Sequence, residues 1–75
     1  MNLFPADSLV DERFRKAERN QNYMEWRQLS DWMEGLGALA RAYSSASKAE
    51  WYERLALTAY QRAKAMEPQP EQEAA

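Results

Sequence analysis

Seventy-five residues leave room for one domain, and a chain this short buries only about 60% of the surface its unfolded form exposes. It carries neither cysteine nor histidine, which excludes disulfides, thiolate metal sites and the commonest neutral-pH acid–base group. A net charge of -2 argues against an extended phosphate-binding surface, and 45% hydrophobic residues argue against a wholly disordered chain.

Small domains lean on disulfides, metals or oligomerisation, and only the last is left here. No apolar run approaches the roughly 20 residues needed to cross a bilayer. Residues 1–5 lack the basic region and apolar core of a signal peptide. The expectation is a cytoplasmic protein that makes no membrane contact and needs no cofactor.

In chain order, residues 1–6 form an arm. Leu3 and Phe4 are expected to tuck against the core, since an exposed Leu-Phe pair is a liability on so small a protein. Residues 8–19 predict a first helix, capped by Ser8. Asp11 and Glu12 stand early in it and Arg15, Lys16 and Arg19 late, the order the helix dipole favours. Leu9, Val10, Phe14 and Ala17 give it a narrow apolar face. A helix this short does not hold in isolation, so it must dock.

Asn22 with Glu25 three residues on predicts a capping box opening a central helix over 22–43. Its stripe is Trp26, Leu29, Met33, Leu36, Ala40 and Tyr43, widened by Trp32 and Leu39. Gly35 and Gly37 interrupt it, each costing about 1 kcal/mol against Ala in a helix. The stripe nevertheless keeps its phase across them, which predicts a continuous helix with the glycines permitting close approach or a bend. A break follows at residues 44–47, where Ser47 and Glu50 predict the cap of a third helix over 48–67. Trp51, Tyr52, Leu55, Ala56, Ala59, Ala63 and Met66 form its apolar stripe, with Tyr60 at the edge and Leu57 off it. The two long stripes differ in phase by about a third of a turn, so a hairpin can bury both and one straight helix cannot. Pro68 ends the helix and residues 68–75 read as a disordered acidic tail, leaving 1–67 as the single helical domain.

The spacing of Ala56, Tyr60, Ala63 and Pro68 resembles the second half of a tetratricopeptide repeat, and Leu36-Gly37 is similar to the Leu-Gly of its first half. Leu36 and Ala56 stand too far apart for that repeat, and Trp32 lies one residue off its expected place. The resemblance implies a repeat-style helical hairpin and nothing more. The carboxylate pairs Asp31/Glu34 and Glu50/Glu53 read as solvated helix faces, because the helical di-metal site needs a histidine beside its glutamates. No Gly-rich phosphate loop is present. Neither an enzyme nor a metal protein is expected.

The fold expected is therefore all-α: a short N-terminal helix plus a long antiparallel hairpin, completed by dimerisation into a helical bundle. Three Trp and four Tyr exceed what one copy covers easily. Trp26, Trp32, Leu39, Tyr43, Trp51, Leu57 and Tyr60 are the candidate interface residues, first for a second copy and then for another protein. The function expected is non-enzymatic protein–protein interaction, as a small regulator, adaptor or inhibitor of the kind common in bacteria and their phages. One alternative is a nucleic-acid-binding dimer using Arg13, Arg15, Lys16 and Arg19 as phosphate contacts, although Asp11, Glu12 and Glu18 offset that charge. A second is a structural subunit of a larger assembly.

Overall fold

A computed structural model describes residues 3–67; the proposed acidic tail at 68–75 lies outside them. Three α-helices follow one another, with no strand among the described residues: α1, Asp7–Asn20; α2, Tyr23–Tyr43; and α3, Ala46–Met66. The fold is all-α, and α2 and α3 form the long antiparallel hairpin.

The caps explain where the helices begin. At α2, the Asn22 side chain accepts from the backbone N–H of Met24 at 2.8 Å and of Glu25 at 3.3 Å. The Glu25 carboxylate does not close the reciprocal half of the box; it accepts from the Asn20 amide at 2.9 Å instead, tying α1 to α2. Gln21 makes the turn between them in the left-handed region, with φ 49°. Two other caps differ from expectation. Ser8 lies inside α1, whose N-cap is Ala6 and makes no side-chain bond; the earlier start sets Asp7 3.6 Å from Lys48 of α3. Ser45, not Ser47, caps α3 by accepting from the Lys48 N–H at 3.1 Å. α3 therefore starts two residues sooner than expected, at Ala46, and Ala49 in its first turn is fully buried in the seam with α2.

The seam between α2 and α3 is built from small side chains. Ala40 and Ala49 meet near its closed end, and Ala56, Ala59 and Ala63 continue it along α3. Gly37 marks the tightest point: a Cβ there would lie 3.3 Å from Glu53 Cγ and 3.6 Å from both the Ala49 carbonyl and Tyr52 Cβ. α2 runs unbroken through Gly35 and Gly37, neither with positive φ. Close approach is thus the role of Gly37. Gly35 has open space where a Cβ would go. Gly35→Ala should therefore stabilise the protein by up to about 1 kcal/mol. Gly37→Ala should gain less, because Glu53 is held by Arg41 and cannot step aside freely. Paired urea melts check this, and a damaging Gly35→Ala would mean that α2 does not continue through that turn.

α1 lies along one face of the hairpin, parallel to α3. Asp7 pairs with Lys48 near one end, and Glu18 meets Arg62 at 2.9 Å near the other. Large side chains hold α1 there. Val10 packs with Met33, Leu36 and Tyr52; Ala17 packs with Trp26, Leu29 and Ala63, and Phe14 spans both groups. Leu9, expected on the buried face, is exposed: it lies about a quarter-turn from Val10 and Ala17. Of the arm, Phe4 docks by stacking on Tyr52 at 6.0 Å, whereas Leu3 stays exposed. Tyr43, last in the central stripe, is 72% exposed, because the chain turns away through Ser44 and Ser45 immediately after it.

Candidate functional site

α1 covers one side of the hairpin and leaves the other side open. On that open side, helical periodicity aligns Tyr23, Arg27, Ser30 and Glu34 along α2. Glu53, Leu57, Tyr60 and Lys64 align beside them on α3. Ser30, Glu34, Glu53, Ala56, Leu57 and Tyr60 enclose a groove of about 330 Å³. Its walls continue through Tyr60 to Tyr23, Arg27 and Lys64. Leu57 is 56% exposed and Tyr60 43% exposed, so this face presents apolar surface that the chain does not cover.

The charges along it are unevenly engaged. Both carboxylate oxygens of Glu53 accept from one guanidinium nitrogen of Arg41, Nη2, at 3.0 and 2.9 Å. Lys64 pairs with Glu67 at 3.0 Å. Arg27 and Glu34 make no ion pair or hydrogen bond among the described residues. They sit seven residues apart on one face of α2, about 10 Å along its axis, with Ser30 between them and Leu57 across the groove from it.

A second recess lies on the α1 side. Arg13 and Lys16 of α1 and Glu25, Gln28, Leu29 and Trp32 of α2 line a cleft of about 310 Å³. The four basic residues of α1 do not share one face. Arg13 and Lys16 turn toward α2 and enter this cleft. Arg15 pairs with Asp11 at 2.9 Å on the side facing α3, and Arg19 points outward between the two.

The remaining candidate interface residues are distributed by depth. Trp26 is core, 2% exposed, with its ring edge-on to Phe14 at 5.9 Å and the Arg62 guanidinium 5.6 Å from its centre. Trp51 is half-buried, 5.0 Å from Tyr52. The Lys48 ammonium stands 5.6 Å from both of these rings and 5.8 Å from Phe4. Leu39 is half-buried on the outer edge of α2. Only Leu57 and Tyr60 of the seven line the open groove. Sequence reasoning missed Arg27 and Glu34; their shared position two turns apart on the groove side of α2 was the available signal.

Among the described residues two buried polar atoms lack a hydrogen-bond partner, Trp26 Nε1 and Tyr52 Oη. Burial pushes the Tyr52 phenol above its ordinary value of 10.0, with the Asp7 carboxylate adding to the effect. The unfolded chain therefore ionises Tyr52 first as pH rises above 10, and this part of the stability is lost there. Because the hydroxyl satisfies nothing, Tyr52→Phe should be neutral or stabilising by up to about 1 kcal/mol at pH 7. It should also lose less stability than the native protein above pH 10. Thermal melts across that range test this; a loss above about 2 kcal/mol at pH 7 would show that the hydroxyl has a partner.

Among the described residues no group of three acidic side chains gathers as metal ligands, and no helix is long and apolar enough to cross a membrane. No family model, curated protein or solved structure matches this chain.

Proposed function

We propose that this chain is a non-enzymatic protein–protein interaction module. Its open hairpin face pairs with a second copy, and the resulting dimer acts as a small regulator, adaptor or inhibitor by occupying a partner protein's surface. The observation that carries the pairing is the self-complementary arrangement of Arg27 and Glu34, each without an ion pair or hydrogen bond among the described residues. A two-fold axis lying across the face between Ser30 and Leu57 runs the two copies of α2 antiparallel. Each Arg27 then meets the Glu34 of the other copy, and the two Leu57 side chains meet near the axis. Such isologous pairing completes a four-helix core, with α1 left on each outer side.

Charge exchange tests the register. Arg27→Glu should weaken association by about tenfold or more, since it sets like charges opposite one another twice per dimer. Adding Glu34→Arg to the same chain should restore it. Equilibrium sedimentation reads both, and a double variant no tighter than the single one would contradict this pairing.

A further inference from the structure

We infer that the cleft between α1 and α2 is the docking site for an acidic peptide segment of the partner, in which an apolar side chain stands between two carboxylates. This rests on reading the protein as an interaction module, but not on its dimerisation.

The cleft combines features that a solvated helix face lacks. Its α1 bank carries Arg13 and Lys16, neither in an ion pair or hydrogen bond among the described residues, although Glu25 lies across from them. That carboxylate is engaged by the Asn20 amide at 2.9 Å, so the cations keep unmet capacity. On the α2 bank the half-buried Trp32 ring and Leu29 offer an apolar surface, and Gln28 beside them offers both a donor and an acceptor.

The geometry suits an extended chain. Arg13 and Lys16 are three residues apart, so their Cβ atoms lie about 5–6 Å from one another. Alternate side chains of an extended segment stand about 6–7 Å apart and point the same way, while the one between points opposite. Two carboxylates facing α1 therefore send the intervening side chain toward Trp32. A volume near 310 Å³ holds such a side chain and its flanking backbone. Nucleic acid fits less well: Arg15 and Arg19 lie on other sides of α1, and the chain as a whole is acidic.

The test titrates labelled full-length protein with acetyl-Gly-Glu-X-Glu-Gly-amide peptides, X being Leu, Met or Phe, and follows the Trp indole resonances. At least one peptide should shift the Trp32 indole while leaving Trp26 and Trp51 in place. Replacing both Glu by Gln, or X by Gly, should weaken binding by about tenfold, as should Arg13→Glu with Lys16→Glu in the protein. Both residues are exposed and, among the described residues, unpaired, so the variant should keep its helical signal and a cooperative melt. Saturation without a Trp32 shift, no shift at millimolar peptide, or equal affinity for the Gln peptides would overturn the assignment. So would an eight-nucleotide thymidine oligomer that shifts Trp32 at lower concentration than any of the peptides. Repeating the titration on Leu57→Glu separates the two readings, since a chain that fails to dimerise should still bind the peptide.

Discussion

Trp26→Ala should cost about 3–5 kcal/mol, the upper end of core truncations. A domain of this length has about 4–11 kcal/mol in total, so the variant should be largely unfolded or close to it. The packing explains why the site cannot heal. The ring is enclosed by Ala17, Ala59, Ala63 and Leu29, and three of those four have no reach with which to fill a void. Its edge-to-face contact with Phe14 is lost as well, worth about 0.5–1.5 kcal/mol beyond area. Arg62, which stands over the ring and also pairs with Glu18, loses one of its two anchors to the bundle. Trp32→Ala is the control, because that ring is only half-buried and should cost well under half as much. Urea unfolding followed by circular dichroism measures both, and equal costs would mean that the two rings are not divided between core and cleft.

The second large effect is expected at Leu57. Its side chain is 56% exposed in the single chain, so Leu57→Glu should leave the helical fold intact. At the proposed two-fold axis, however, the substitution places two carboxylates against each other and removes the central apolar contact. Association should fall by about a hundredfold or more, roughly 2.7 kcal/mol. A variant with native helical signal and unchanged self-association would move the contact surface off this face.

Much of the fold was legible because long periodic stripes constrain helices strongly. Leu29, Met33, Leu36 and Ala40 keep one phase across two glycines, and α2 does run unbroken through them. The Asn22 cap was readable for a similarly local reason, since the side chain bonds only the first turn after it. Locally Ser47 is the better cap, because Glu50 completes its capping box, yet it does not cap α3. Ser45 is the one whose hydroxyl meets a first-turn N–H, that of Lys48, and the Lys48 side chain is held by Asp7 of α1, a tertiary tie that no local motif encodes. The division of the tryptophans was hidden for the same reason. Trp26 and Trp32 belong to one broad stripe, yet only the path of α1 decides that the first is enclosed and the second edges a cleft. Exposed apolar surface was foreseeable in amount, but its concentration at Leu57 and Tyr60 depends on α1 choosing the opposite side of the hairpin.

Pairing through the open hairpin face is the claim on which the rest of the proposed mechanism depends, and the mass of the protein in solution tests it most directly. Equilibrium sedimentation at micromolar concentration should give about twice the 8.8 kDa of one chain. A mass of one chain at every concentration, accompanied by a cooperative melt, would contradict it and show that three helices close this core unaided.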